Sequence, residues 1–220
     1  MTTYKRRLLQ VALGTLLLVA CSEPTSKTRA VYMLLDTSGT YTEELDKAQA
    51  IISYLLSTLQ SGDSIAVARI DSGSFSEKDI VAKANFSDRP SVTNDQKRSF
   101  KQQMDAFVSS LQHGSANTDI TGGIVQAADF VNETRAGKKT ILIFSDLEED
   151  LQKGHVRDFP ISVEGIQVVA LNVTKLRSDN IDPRDYRKRL DHWQQRVEAG
   201  GGEWLVLNDL ERIETLVPLR

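Results

Sequence analysis

Apolar and polar positions along this chain follow two rhythms. Nearly continuous apolar runs occur at 29–35 (RAVYMLL), 64–70 (SIAVARI), 140–144 (TILIF) and 166–171 (IQVVAL), with a shorter one at 203–207 (EWLVL). Runs of this kind predict strands buried on both faces of a parallel sheet. Between them apolar residues recur at three- and four-residue spacing. Leu45, Ala48, Ile51, Ile52, Leu55, Leu56 and Leu59 predict a helix over 43–60. Phe100, Met104, Phe107, Val108 and Leu111 predict one over 95–112, and Ile124, Val125, Ala128 and Val131 one over 121–132. Tyr186, Leu190, Trp193 and Val197 mark a further helix over 183–199, with Asp182 as N-cap and Pro183 at its first position. Residues 80–86 read as a weaker, edge strand and 209–217 as a closing helix. Gly62, Gly114 and the run Gly200-Gly201-Gly202 end the elements before them. Strands alternating with helices predict an α/β fold: a Rossmann-like, doubly wound, mostly parallel sheet with helices on both faces and one antiparallel edge strand.

The first twenty residues obey a different logic. Lys5-Arg6-Arg7 precedes an apolar stretch over 8–19. That stretch is shorter than the roughly 20 residues a membrane-crossing helix needs, and a basic start before a short apolar core is the pattern of an export signal. It ends in Leu18-Val19-Ala20-Cys21, which resembles the lipobox of bacterial lipoproteins. The resemblance implies cleavage before Cys21, palmitate-type acylation of Cys21, and a lipid membrane as partner. Ser22 after the cysteine then points to the outer membrane, facing the periplasm, if the cell is Gram-negative. An ordinary export signal with an incidental cysteine is the alternative. Cys21 is the only cysteine, so no intrachain disulfide can form. The reading is residues 1–20 as signal peptide, 21–28 as a polar tether carrying lipidated Cys21, and 29–220 as one domain. A domain of that size buries a full core without disulfides.

Charge removes one class of partner. The formal charge is −3, and three basic residues but no acid precede Cys21, so the remainder is more acidic still. Nucleic acid is not expected as a partner, because phosphate binding needs a basic face.

Two acids stand at the carboxyl ends of predicted strands. The first strand runs into Asp36-Thr37-Ser38-Gly39-Thr40, and the 140–144 strand into Ser145-Asp146. Open α/β sheets bind ligands beyond such ends, where strand order reverses. A small polar loop, Ser115-Ala116-Asn117-Thr118-Asp119, opens the helix that precedes the second of these strands. Hard divalent cations prefer oxygen donors, which these side chains supply.

Asp36-x-Ser38-x-Thr40, the distant Thr118 and the distant Asp146 resemble the metal-ion-dependent adhesion site of von Willebrand factor A-like domains. The family pattern is Asp-x-Ser-x-Ser; Thr40 departs from it but keeps a hydroxyl. Residues 59–66, 118–127 and 141–146 resemble further stretches of that family. The resemblance implies Mg²⁺, or Mn²⁺ or Ca²⁺, held by Asp36, Ser38, Thr40, Thr118 and Asp146. Ser38 and Thr40 would be direct ligands, Asp36 would bind through water, and Thr118 and Asp146 would exchange. The metal would accept a Glu or Asp carboxylate from a protein partner. The expected function is adhesion, assembly or scaffolding in the cell envelope, not catalysis.

Other readings stay open. One is a metal-free scaffold of the same fold. Another is a Mg²⁺-dependent phosphatase, since Asp36-Thr37-Ser38-Gly39-Thr40 superficially resembles the Asp-x-Asp-x-Thr motif of haloacid-dehalogenase-like folds. Ser38 stands where that chemistry needs its acid. Asp36 could also serve only as a helix N-cap. His113, His155 and His192 lack zinc spacing. Residues 147–150 are expected to form a solvated acidic loop, Asp119 a cap, and Asp71 a turn. Trp193 and Trp204 are expected in the core or at its rim.

Overall fold

Strand β1 (Arg29–Leu35) is buried along its whole length, which puts it inside a sheet rather than at its edge. The structure, a computed structural model, describes residues 26–39, 44–71, 77–111 and 114–209. The signal peptide, Cys21, Thr40, His113 and all but the first residue of the closing helix lie outside the described residues.

Five further strands join β1: β2 (Ser64–Arg69), β3 (Ile80–Asn85), β4 (Lys138–Phe144), β5 (Gln167–Leu171) and β6 (Glu203–Leu207). Their order is β3-β2-β1-β4-β5-β6. All neighbours run parallel except β2 and β3, so the edge strand read from 80–86 is the antiparallel one. The architecture is the doubly wound, mostly parallel α/β sheet that the alternating pattern predicts.

The helices are α1 (Leu45–Thr58), α2 (Pro90–Ser110), α3 (Ile120–Glu133) and α4 (Pro183–Ala199). Successive side chains of a strand point to opposite faces. Val31, Met33 and Leu35 accordingly pack with Leu45, Ile52 and Leu55 of α1 and Phe100 and Met104 of α2. Ala30, Tyr32 and Leu34 pack with Ile124, Ala127 and Val131 of α3 and Trp193 and Val197 of α4. Gly123 permits the close approach of α3: a Cβ there would meet Ile70 Cγ2 at 2.6 Å. Trp193 lies in the core and Trp204 at its rim, as expected.

One helix differs from its sequence reading. α2 begins at Pro90, five residues before the expected start. Its first turn carries no buried apolar stripe, so periodicity does not reveal it. Proline is instead suited to the first turn, where its missing N–H leaves no bond unmade. The buried Thr93 hydroxyl ties that turn down by donating to the Ser87 carbonyl at 2.6 Å.

From β1 the chain builds outward to β2 and β3 on one side and to β4, β5 and β6 on the other. The strand order therefore reverses between β1 and β4, and the crevice beyond their carboxyl ends is the ligand position of such sheets. Leu35 is in register with Phe144. That register brings the residues after each strand, Asp36 and Ser145, side by side.

Candidate metal centre

Asp36 is fixed before any ligand arrives. Its backbone N–H continues the sheet by donating to the Phe144 carbonyl at 3.0 Å. Its carboxylate is wholly buried. Oδ1 accepts the Ser38 backbone N–H at 2.8 Å, which folds residues 36–38 into a tight turn. Oδ2 accepts the Ser145 hydroxyl at 2.7 Å. The same Ser145 Oγ accepts the Leu147 N–H at 3.0 Å. Ser145 thus couples the loop after β1 to the loop after β4. The Ser-Asp pair at 145–146 is visible in the sequence, but only the register of β1 on β4 shows that its serine orients Asp36.

Thr118 arrives from a third segment. Ser115 N–H donates to the Thr37 carbonyl at 2.7 Å, and Ser38 forms an isolated parallel bridge with Ser115. On its other side Thr118 makes an antiparallel bridge with Asp150, through Thr118 N–H to Asp150 O at 2.8 Å and Asp150 N–H to Thr118 O at 3.0 Å. The Thr118 loop is stitched between the two strand-end loops, and no regular element is needed to place it.

Ser38, Thr118 and Asp146 line one cleft of about 380 Å³, together with Gly39, Ser115, Ala116, Glu148, Asp150 and Leu176. Asp36 lies beneath it, held through Ser38. Four of the five residues read as ligands from the sequence therefore converge on one rim; Thr40 is outside the described residues. Asp146 is almost fully buried, with Oδ1 accepting the Glu148 N–H at 2.9 Å.

Two acids in so dry a place are costly as anions. Burial pushes the Asp36 carboxyl above its usual range, against the pull of its bonds to Ser145 and Ser38. Burial likewise pushes Asp146 up to about 6, opposed by the Glu148 N–H and reinforced by the negative charge of Asp36. A divalent cation would offset both charges. Two carboxylates with hydroxyls and water suit Mg²⁺, which keeps several waters in an octahedral shell. Among the described residues there is no group of three or more His, Cys, Asp or Glu side chains suited to hold a metal. The donor set at this rim depends on hydroxyls for its remaining oxygens.

The acidic run 147–150, expected to be a solvated loop, is solvated only in part. Leu147 is buried with φ 67°, a left-handed conformation rare for leucine. Glu149 accepts the Thr121 N–H at 2.7 Å, and Asp150 is bridged to Thr118. Glu148 and Asp150 alone are exposed. α4 supports this loop from behind: Arg189 Nε donates to the Asp146 carbonyl at 3.1 Å, and Arg189 also pairs with buried Asp179 at 2.8 Å. Asp119 caps α3 as expected, accepting the Gly122 N–H at 2.8 Å. It also forms a buried pair with Arg157 at 2.8 Å, which no sequence pattern announces. Asp71 pairs with Arg69 at 3.2 Å.

No family model and no curated protein matches this chain. Solved structures to which it is similar include an aerotolerance-related membrane protein from Bacteroides fragilis carrying multiple mutations to serine (14% identity, TM-score 0.44, 87% of this chain and 96% of that one). They also include the conserved hypothetical protein BatB from Bacteroides thetaiotaomicron (14% identity, TM-score 0.46, 86% of this chain and 95% of that one). A von Willebrand factor type A protein from Catenulispora acidiphila is likewise among these structural neighbours (14% identity, TM-score 0.47, 85% of this chain and 40% of that one).

Proposed function

We propose that this chain is a lipid-anchored module of the cell envelope that binds a divalent cation, Mg²⁺ first, at Asp36, Ser38, Thr40, Thr118 and Asp146. Through that cation it binds a Glu or Asp side chain of a protein partner. The observation that carries this reading is the shared cleft of Ser38, Thr118 and Asp146, with Asp36 oriented beneath it. The roles follow from chemistry. Ser38 and Thr118 offer neutral oxygens. Asp146 offers the exposed edge of an otherwise buried carboxylate. Asp36, whose oxygens already accept from Ser38 and Ser145, orients the donors around it. With only two carboxylates in the set, a 2+ ion keeps the electrophilicity to take a third from outside.

The proposed role is binding, not catalysis. Ser38 occupies the place where a phosphatase of the Asp-x-Asp-x-Thr type keeps its acid, and an alcohol hydroxyl is far too weak an acid to take that carboxyl's part. Acylated Cys21 would hold the module on a membrane, the outer membrane facing the periplasm in a Gram-negative cell. Among the described residues no helix is long and apolar enough to cross a membrane.

The test is Mg²⁺ titration calorimetry on the wild-type chain and on Asp36→Ala, with capture of partners from detergent-solubilised envelopes in Mg²⁺ and in EDTA. Loss of heat in the variant and loss of partner in EDTA are expected. Partner capture that is equal in EDTA overturns the metal-bridged reading.

A further inference from the structure

The chain leaves the domain at a fixed place. The Thr28 carbonyl accepts two N–H groups from the turn between α3 and β4, Gly137 at 3.0 Å and Lys138 at 3.2 Å. Ser26 lies so close against the same turn that a Cβ built on Gly137 would fall on its carbonyl oxygen. The segment before β1 is therefore clamped onto Gly137, at the amino ends of the parallel strands. Around that point stand Lys27, Arg135, Lys138 and Lys139, of which all but the half-buried Lys139 are exposed. Lys139 Nζ donates to the neutral Asn132 side chain at 2.8 Å. Acids stand at the same end: Glu133 beside Arg135, Glu203 in one cleft with Lys138 and Lys139, Glu164 next to Gly165 of that cleft, and Asp88, whose carboxylate lies with Thr28 against Gly62; the four bases are the groups gathered around Gly137.

The candidate metal cleft is at the other end. β1 spans seven residues from Arg29 to Leu35. At about 3.3 Å per residue, the run from Thr28 to Asp36 separates the clamp from Asp36 by roughly 25 Å. The five Cα–Cα steps from Cys21 to Ser26 reach at most about 18 Å when fully extended.

We infer that the domain stands on the membrane through the basic end at Lys27, Arg135, Lys138 and Lys139, which rests on anionic lipid headgroups, and that the Asp36–Asp146 cleft faces away from the bilayer. The inference rests on the lipid-anchor reading and deepens it. A short tether clamped at its exit leaves the domain little freedom to invert. Lysine and arginine beside the surface are attracted to anionic lipids over the last Debye length. A partner would then be met on the side remote from the anchoring bilayer.

The experiment uses the full acylated chain on vesicles of phosphatidylcholine with phosphatidylglycerol. Once Cys21 is acylated, an introduced cysteine is the single free thiol. A donor dye is placed at Glu133→Cys, beside the basic end, or at Asp150→Cys, on the cleft. Energy transfer to acceptor-labelled headgroups is then measured. Transfer several-fold stronger from 133 than from 150 is expected. Equal or inverted transfer overturns the orientation. Reversing the patch with Arg135→Glu, Lys138→Glu and Lys139→Glu should shrink the difference; no change overturns the headgroup contact. The intact mass at Cys21 and retention on the vesicles are read separately. A chain that is neither acylated nor retained overturns the anchor reading and this inference with it, whereas an acylated, retained chain with equal transfer overturns the inference alone.

Discussion

Trp193 Nε1 donates to the Leu147 carbonyl across 3.0 Å, from the most buried turn of α4 to the residue that follows Asp146. Leu147 sits in the left-handed region with its side chain in the core. A branched side chain in that conformation costs of order 1–3 kcal/mol and persists only where its surroundings hold it. The indole N–H, together with Arg189 on the Asp146 carbonyl, supplies that hold.

Trp193→Phe tests it. Phenylalanine keeps much of the apolar contact and removes the donor, leaving a buried carbonyl unpaired. The expected loss is about 1–3 kcal/mol in urea unfolding. The Mg²⁺ affinity should fall as well, because the turn after Asp146 loses one of the bonds that hold it, those from Ser145, the Glu148 N–H and Arg189 remaining. An unfolding midpoint equal to wild type would show that the bond contributes nothing to the turn.

Asp146→Asn separates stability from metal binding. The amide oxygen can still accept the Glu148 N–H, and the buried charge disappears. Raising the Asp146 pKa from 3.8 to about 6 corresponds to a cost of ionisation of about 2–3 kcal/mol at neutral pH. The metal-free variant should therefore unfold at an equal or higher temperature than metal-free wild type. Its stabilisation by Mg²⁺ should vanish. A variant that is both less stable without metal and still stabilised by Mg²⁺ would remove Asp146 from the ligand set.

The pH dependence has a definite sign. Asp146 titrates higher in the folded chain than in the unfolded one, so the folded state binds more protons between those two values. Stability of the metal-free protein should rise as pH falls from above 6 towards 4, helped in the same direction by Asp36. Glu44 and Asp179 are shifted down by their partners, Lys47 first for Glu44 and Arg189 first for Asp179, so their contribution is lost only on further acidification. Saturating Mg²⁺ should invert the trend, since protons compete with the cation for Asp146. Thermal unfolding at pH 7 and pH 5, with Mg²⁺ and with EDTA, reads both slopes.

Local pattern carries much of this structure and fails in identifiable places. The buried strands and the helical stripe ending in Trp193 and Val197 are legible because burial imposes periods of two and 3.6 on the residues themselves. Asp36 and Asp146 stand out because each follows a predicted strand, where side chains are released from packing; Ser38, Thr40 and Thr118 stand out through the family resemblance alone. The first turn of α2 is hidden because Thr93, not an apolar residue, is what it buries. The roles of Ser145 and Arg157 are hidden for another reason. Ser145 meets Asp36 across 109 residues and Arg157 meets Asp119 across 38, and no local spacing encodes either contact. The run 147–150 misleads because its acidity suggests solvent, while Glu149 and the Asp150 backbone are spent on Thr121 and Thr118.

Arg157 gives the sharpest test of how the Thr118 loop is held. Asp119 is buried and follows Thr118 directly; its two oxygens take the Arg157 Nε at 3.2 Å each and Nη2 at 2.8 Å. Arg196 extends the support, donating to the Thr121 hydroxyl at 2.7 Å and to the Arg157 carbonyl at 3.2 Å. Arg157→Ala leaves a buried carboxylate without its cation, which typically costs about 3–5 kcal/mol. Asp119→Asn in the same chain removes the orphaned charge and keeps an oxygen for the Gly122 N–H, so the double variant should recover much of that loss. If the pair acts only on folding, recovered stability will bring back Mg²⁺ affinity in full. If it also sets the Thr118 loop, the double variant will fold well and bind Mg²⁺ about tenfold more weakly, the scale on which removal of supporting bonds around a metal is felt. Urea unfolding alongside calorimetry on the two variants decides between these outcomes, and the three bonds from one guanidinium to Asp119 favour the second.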